Sequence, residues 1–245
     1  GNFRPEFQAA WMKAAHYRHI SLEPLGPAAA EELLGAVLGT DASLAGLAHR
    51  VVERTGGNPF YMEEVVQSLI EEGALQGGKG AHRLVRPVAD VTIPPTVQTI
   101  LTARIDRLPQ AAKRVLQAAA VIGKVFTRPL LERVAAAGNQ PLERGEIDAA
   151  LAALCDAELV CEQAIYPVQE YAFKHALTLE VAYTTQLADR RRLLHAATAR
   201  ALVEAAGRKV DEQAALIGRQ FEAAEEWLEA ARWYVQAAQW MVRSD

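Results

Sequence analysis

One stretch decides how the first part of the chain folds: Gly56-Gly57-Asn58-Pro59-Phe60-Tyr61-Met62-Glu63-Glu64-Val65. Gly56 and Gly57 can end a helix, because the residue after the last turn often needs a positive φ, which glycine adopts without a Cβ clash. Asn58 can cap the next helix, and Pro59 suits its first position, where a backbone N–H would have no partner. The stretch therefore predicts a corner between two helices.

Apolar residues at helical spacing lie on both sides of this corner. They predict helices over residues 27–38, 43–55 and 59–72, the first of which begins at Pro27 and ends before Gly39. Because the connections are short, the three helices predict a small helical bundle.

A glycine-rich segment, Gly-Ala-Leu-Gln-Gly-Gly-Lys-Gly, follows at residues 73–80. It matches a phosphate-binding loop except at its last position, where Gly80 replaces the Ser or Thr that binds magnesium. The segment follows a helix, however, and residues 82–85 after it alternate like a strand. We therefore predict a β-hairpin turn here and find no phosphate loop elsewhere in the sequence.

A new unit begins at Ile93-Pro94-Pro95-Thr96, since two prolines interrupt any helix and Pro95 can open the next one. Apolar spacing then predicts helices over 97–108 and 110–122, a third after Pro129, and a fourth over 146–157. The strand patterns at 159–162 and 171–173 predict a two-stranded hairpin around Pro167. Helices followed by such a hairpin are typical of a winged-helix domain, which we place at residues 93–187.

The C-terminal part is helical, with helices predicted over 189–206, 210–224 and 227–242. Residues 217–234 resemble one tetratricopeptide unit, in which small residues pack where two helices cross and aromatic residues fill the gaps. We assign residues 188–245 to the start of such repeats. Because one repeat of an array is not stable alone, we expect further repeats after Asp245 in a longer parent protein.

The composition, 51% apolar and 23% charged, is typical of a soluble globular protein, and frequent alanine and leucine favour a mostly α fold. A net charge of −4 gives no general reason to bind nucleic acid or an anionic membrane. No apolar run is long enough to span a membrane, and no secretory signal is evident, so we predict a cytoplasmic protein. Cys155 and Cys161 match no zinc pattern, and we predict that both are buried thiols in a reducing compartment.

These features together resemble the signal-transduction ATPases with numerous domains, which are related to AAA+ ATPases. Residues 56–64 resemble the glycine-x-proline motif of the family's lid, residues 3–7 followed by a short strand resemble the end of its ATPase core, and residues 173–175 resemble the end of its winged helix. The resemblance implies that residues 1–26 end the ATPase core and that residues 27–92 form the helical lid and its glycine-rich hairpin. The similarity is greatest to bacterial regulators in which this region follows an adenylate or guanylate cyclase domain and precedes tetratricopeptide repeats.

The resemblance also implies roles for three residues. Pro59 would pack on the adenine of ATP or ADP, Arg4 would sense the γ-phosphate, and His175 would contact the ADP β-phosphate and hold a closed, inactive state. Many family members carry aspartate after this histidine, where this chain has Ala176. The structural alternatives are a helix corner for Pro59, a solvated loop residue for Arg4 and a helix cap for His175.

The function implied is that of the lid, winged helix and first repeats of an ATP/ADP-controlled signalling switch, not of a competent enzyme. The full-length parent would bind ATP or ADP with Mg²⁺, whereas no cofactor is expected for residues 1–245 alone. The repeats would bind protein partners, with self-association of the parent left open and no membrane partner. One alternative is a winged-helix DNA-binding transcription factor. The net negative charge of the chain argues against it, as does the position of Asp106 between Arg104 and Arg107, which breaks up a basic helix face. The other alternative is a helical protein-interaction scaffold.

Overall fold

The computed structural model describes residues 23–137, 141–207 and 210–244. This part of the chain is mostly helical with two small antiparallel sheets, and it divides into two compact units between Ile93 and Pro94. The mostly α fold is confirmed at this level. Arg4 and the strand predicted near the end of the ATPase core lie outside the described residues, and the domain identities stay predictions.

The first unit consists, in its described part, of three α-helices and a β-hairpin: α1 (Pro27–Leu38), α2 (Leu47–Thr55), α3 (Pro59–Glu71), β1 (Leu75–Gly78) and β2 (Ala81–Leu84). The glycine-rich segment is thus a hairpin, as predicted, with Leu75 paired to Leu84. Both leucines are buried, so the open end of the hairpin packs into the core of the unit.

The prediction of a helix over residues 43–55 is wrong at the N-terminal end of that range. Asp41 caps a short 3-10 turn at Ala42–Leu44, where its side chain accepts a hydrogen bond from Ser43 N at 2.9 Å. The helix α2 begins only at Leu47, because Gly46 before it has a φ of 82°, which no helix accommodates. Apolar spacing alone missed the break because buried leucines continue on both sides of it.

The second unit contains, in its described part, eight α-helices and one three-stranded sheet: α4 (Val97–Arg107), α5 (Gln110–Ile122), β3 (Val125–Thr127), α6 (Arg128–Ala135), α7 (Arg144–Asp156), β4 (Val160–Ala164), β5 (Glu170–Phe173), α8 (Ala176–Thr184), α9 (Ala188–Ala206), α10 (Val210–Ala223) and α11 (Trp227–Ser244). Helix α5 is central, since α6, α7, α8 and α9 all pack against it. The segments predicted as winged helix and repeats therefore share one core through α5 and α9.

The sheet has the order β3-β5-β4, with both pairings antiparallel. The predicted two-stranded hairpin is therefore incomplete, because β3 pairs with β5 and places Phe126 opposite Tyr171. The Phe126 ring stacks on Tyr171 with centroids 5.9 Å apart and meets Phe173 edge-on at 6.0 Å. A three-residue strand is too short to show an alternating pattern, which explains why sequence analysis missed it.

Helices α10 and α11 form an antiparallel hairpin in which a small residue faces an aromatic one. A Cβ placed on Gly218 would lie 3.0 Å from the Tyr234 ring, and the Tyr234 hydroxyl donates to Glu222 Oε2 at 2.5 Å. Further along, Gln236 Nε2 donates to Asp211 Oδ1 at 2.6 Å. This is the packing expected where two helices cross closely, although the repeat family itself stays a prediction.

The prediction that both cysteines are buried is wrong. Cys161 is exposed on β4, an edge strand of the sheet, and Cys155 on α7 is partly exposed. Partial burial is the main cause that raises the pKa of Cys155, and the negative charges of Glu162 and Asp156 act in the same direction. The raised pKa makes Cys155 a weaker nucleophile than an ordinary surface thiol.

Candidate functional site

The corner at Gly56 to Pro59 forms as the sequence predicts. Gly56 N donates to Val52 O at 2.9 Å and ends α2 in the left-handed conformation, with a φ of 60°. Asn58 is the N-cap of α3, where its side-chain oxygen accepts a hydrogen bond from Tyr61 N at 3.1 Å. Pro59 occupies the first position of α3 and is exposed. The residue predicted to pack on adenine is thus presented on the surface of the first unit and is not used in its core.

Contact with the backbone of Leu25 fixes this corner. Leu25 N donates to Gly57 O at 2.9 Å, and Gly57 has a φ of 76°. A Cβ on Gly57 would lie 2.1 Å from Leu25 O, so only glycine fits this position. Beyond the corner, Met62 and Val65 on α3 are 0% and 2% exposed and anchor the helix in the core. The position and direction of Pro59 therefore follow from backbone geometry and from the buried face of α3.

A shallow depression of about 370 Å³ in the first unit is lined by Arg50, Glu53, Arg54 and Ile93. The Arg50 guanidinium donates to the carbonyl oxygens of Val88 and Val91, the second at 2.9 Å, and so holds the segment after the hairpin. Arg54 lies near Tyr61, where burial raises the pKa of the phenol and Arg54 acts in the opposite direction. Because its arginines already contact the protein, the depression supports no separate anion site.

His175 lies between β5 and α8, at the N-cap position of α8. Its backbone is extended (φ −130°, ψ 141°), its side chain is half-buried, and the imidazole makes no capping hydrogen bond. The backbone before it is held by two hydrogen bonds, from Phe173 N to Lys124 O at 2.9 Å and from Lys174 N to Leu159 O at 3.2 Å. The helix-cap alternative for His175 is therefore not supported, and its contact with nucleotide stays a prediction.

The three residues predicted to contact nucleotide have different places in the chain. Pro59 belongs to the first unit, His175 belongs to the second, and Arg4 lies outside the described residues. The first unit thus contains Pro59, the second contains His175, and these are the two predicted contact residues that the structure describes.

Arg104, considered above as part of a DNA-binding helix, is buried in α4 with 2% of its side chain exposed. Its guanidinium donates to Ala157 O at 2.6 Å, just past the last residue of α7. A signal for burial was present in the sequence, because position 104 follows Ile100 and Leu101 at spacings that share one helix face. A buried guanidinium cannot contact a phosphate backbone, and this weakens the DNA-binding alternative.

A buried hydrogen-bond network, absent from the sequence analysis, joins helices of the second unit through His195 on α9. His195 Nδ1 lies 2.6 Å from Gln220 Oε1 on α10, and Nε2 lies 2.9 Å from the Tyr183 hydroxyl on α8. Since an amide oxygen only accepts, Nδ1 carries the proton and the hydroxyl donates to Nε2. Gln220 Nε2 also reaches Val121 O on α5 at 3.5 Å. The side chains that contact His195 are 12 and 25 residues away along the chain, so no local sequence motif predicts these contacts.

We expect the second unit to lose stability as the pH falls below 6.5, the ordinary pKa of histidine. Burial is the main cause that lowers the pKa of His195, and the charge of Arg191 adds to the effect, while the bond to Gln220 opposes it. The folded state therefore favours the neutral imidazole, whereas the unfolded chain binds the proton more readily. The stabilisation is complete above pH 6.5 and is lost as the pH falls through the folded pKa.

Urea denaturation followed by tryptophan fluorescence measures this effect once Trp11 of the first unit is replaced by phenylalanine, because the other three tryptophans, Trp227, Trp233 and Trp240, all lie on α11. His195→Gln removes the titrating group and should flatten the dependence of the denaturation midpoint on pH between about pH 7 and about pH 5. Loss of the buried hydrogen bonds should also cost about 1–3 kcal/mol at neutral pH. The control His49→Gln changes an exposed histidine of the first unit and should keep the wild-type slope. A slope that His195→Gln leaves unchanged would assign the pH dependence to other groups.

Among the described residues, no group of three or more His, Cys, Asp or Glu side chains is arranged to hold a metal ion, and no helix is long and apolar enough to cross a membrane. Comparisons with protein-family models, with curated proteins and with solved structures found no match for this chain. The assignment of function therefore rests on the motifs of the sequence and on the geometry around Pro59 and His175.

Proposed function

We propose that this chain is the regulatory lid and winged-helix portion of an ATP/ADP-controlled signalling switch within a multidomain cyclase or transcriptional regulator. The observation that carries the proposal is the presentation of Pro59. Its ring is exposed at the first position of α3, on a corner that Gly57 and Leu25 hold in one conformation. Because neither the ring nor the backbone has to be ordered on binding, this surface can pack on adenine at low entropic cost.

His175 is the second residue for which we propose a contact with the nucleotide. Its half-buried imidazole stands at the start of α8, where the free backbone N–H groups favour negative charge. A phosphate oxygen could therefore accept a hydrogen bond from the imidazole in a favourable field. With Ala176 in place of the aspartate found in many family members, His175 supplies the polar contact at this position by itself.

In this proposal the two nucleotides favour different states of the parent protein. ADP contacted by His175 favours the closed, inactive state, and ATP sensed by Arg4 favours the open, active state. Mg²⁺ would be bound together with the nucleotide by the phosphate-loop core of the parent. The helices α9 to α11 would act as the start of tetratricopeptide-like repeats that bind protein partners in the cytoplasm.

The test is nucleotide titration of a full-length protein that contains this chain together with a phosphate loop. His175→Ala should weaken ADP binding by about 5- to 100-fold, the equivalent of a charge-assisted hydrogen bond of roughly 1–3 kcal/mol, and should raise signalling output without nucleotide exchange. Glu180→Ala, at an exposed residue of the same helix, is the control and should leave ADP binding unchanged. A lower melting temperature with unchanged ADP affinity would make His175 a structural residue.

The winged-helix transcription factor is the weaker alternative. Arg104 is buried, and the loop between β4 and β5 exposes the apolar residues Ile165, Tyr166 and Val168 where a DNA-binding wing would need basic ones. The helical scaffold is separated from the switch by the same titration, since a scaffold would show no difference between ATP and ADP.

A further inference from the structure

The two cysteines of the chain lie on either side of one tight turn. Cys155 belongs to the last turn of α7, and Cys161 is the second residue of β4. Within the turn, Leu159 N donates to Leu154 O at 3.0 Å, and Glu158, left-handed with a φ of 56°, follows the helix end. Glu158 N donates to Cys155 O at 2.9 Å. These bonds form a Schellman motif, so β4 folds back against the end of α7 and packs on it.

The Cys155 sulfur reaches the backbone of β4 beside Cys161. It accepts a hydrogen bond from the N–H of Glu162, whose nitrogen is bonded directly to the carbonyl carbon of Cys161. The Cys161 thiol is exposed and lies 3.8 Å from Ala172 O, which it contacts only as a weak S–H donor. Rotation about the Cα–Cβ bond of Cys161 can therefore turn its sulfur toward Cys155.

The two thiols differ in exposure and therefore in the order in which they react. Cys161 is open to solvent on an edge strand, where a small oxidant reaches it first. Partial burial raises the pKa of Cys155, and the negative charge of an ionised Cys161 raises it further. A sulfenic acid at Cys161 is neutral, so oxidation of Cys161 removes this charge and lets Cys155 ionise more readily.

We propose that Cys155 and Cys161 are an oxidative modification site, at which hydrogen peroxide closes an intramolecular disulfide between α7 and β4. The Cys161 thiolate attacks one peroxide oxygen, the O–O bond breaks, and the leaving hydroxide takes up a proton to give water. The Cys155 thiolate then attacks the sulfur of the Cys161 sulfenic acid. The S–S bond forms as the S–O bond breaks, and the released hydroxide is protonated to a second water.

This reaction is balanced without a further reactant. The two thiols together lose two electrons and two protons, and the peroxide is reduced to two molecules of water. A dithiol reductant reverses the change by thiol–disulfide exchange. The site lies within the second unit and requires no nucleotide, so its test is independent of the proposed switch.

The test treats reduced residues 1–245 with hydrogen peroxide and follows the products by mass spectrometry. Trypsin leaves both cysteines in one peptide, residues 145–174, and further cleavage after Glu158 separates them. We expect the intact chain to lose the mass of two hydrogen atoms. The fragments on the two sides of Glu158 should stay joined until dithiothreitol is added. Circular dichroism of the treated chain checks that the reaction occurs in the folded protein.

Two serine variants assign the roles of the thiols. Cys155→Ser keeps the thiol that reacts first, and dimedone should trap its sulfenic acid at least about tenfold more than in the wild type. Cys161→Ser keeps only the partly buried thiol and should lose it to peroxide at least about tenfold more slowly. In the wild type, the ratio of disulfide to dimedone adduct should rise between about pH 7 and about pH 8.5, because Cys155 attacks as the thiolate. Thermal melting checks that both variants are folded.

Dibromobimane, which becomes strongly fluorescent when it joins two thiols, tests their proximity without an oxidant. It should label the reduced wild type and neither serine variant. Survival of both thiols in peroxide would overturn the proposal, as would oxidation of Cys161 to a sulfinic acid while Cys155 stays free. A disulfide that joins two chains through Cys161, with Cys155 still reduced, would also overturn it.

Discussion

Gly57→Ala is expected to destabilise the first unit by about 3–5 kcal/mol. The new Cβ would lie 2.1 Å from Leu25 O, and the backbone would have to keep a φ of 76°, which alanine rarely adopts. Neither atom of this clash is the end of a flexible side chain, so the corner itself would have to move. The hydrogen bond from Leu25 N to Gly57 O would be lost with it, and Pro59 would no longer be held in its present position.

Gly56→Ala is the matched control for this prediction. Gly56 is also left-handed, with a φ of 60°, but a Cβ there would meet nothing within 4 Å. We therefore expect a loss of only about 1 kcal/mol, from backbone strain alone. Urea denaturation followed by circular dichroism measures both variants, while tryptophan fluorescence from α11, recorded with Trp11 replaced by phenylalanine, reports separately on the second unit. Similar small losses for the two variants would mean that the corner relaxes without cost, and the argument that Pro59 is rigidly presented would fail.

Arg104→Ala should destabilise the second unit by about 3–5 kcal/mol, because it both empties a buried volume and removes a charged hydrogen-bond donor. The carbonyl of Ala157, which now accepts a hydrogen bond from this guanidinium at 2.6 Å, would lose its partner at the end of α7. Helices α4 and α7 would no longer be joined by this bond. Tryptophan fluorescence during urea denaturation gives the loss directly.

Two further variants separate the causes of this effect. Arg104→Met fills most of the volume without the donor groups, so it should recover part of the stability and leave the cost of the lost hydrogen bond. Arg107→Ala, at an exposed residue of the same helix, should cost less than about 1 kcal/mol. If Arg104→Ala cost no more than Arg107→Ala, the buried guanidinium would not be a structural element of the unit.

The parts of the fold that the sequence predicts are those determined by neighbouring residues. Helix α1 has the predicted bounds because Pro27 opens it and Gly39 follows it, and the corner at Asn58 and Pro59 forms because capping is a local interaction. The errors fall where the deciding partner is distant in sequence. Strand β3 forms only because β5 pairs with it, and the burial of Arg104 depends on α7.

In the candidate site, too, the features set by neighbouring residues could be predicted and those set by distant residues could not. The conformation of the Pro59 corner could be predicted, because glycine, asparagine and proline each have strong backbone or capping preferences at these positions. The network around His195 could not, since Tyr183 and Gln220 become its partners only after three helices have packed together. The roles of Pro59, His175 and Arg4 in contacting nucleotide stay predictions that the titrations above address.

The order of the three-stranded sheet bears on how the second unit is made during translation. Its central strand, β5, is the last of the three to be synthesised, and β3 and β4 each pair with β5 and not with each other. A nascent chain that has not yet reached Glu170 therefore contains two strands and no ladder between them, and Phe126 has no aromatic neighbour to stack on. The sheet can form only after β5 has left the ribosome. Until then, the helices synthesised earlier must remain able to pack against the completed sheet.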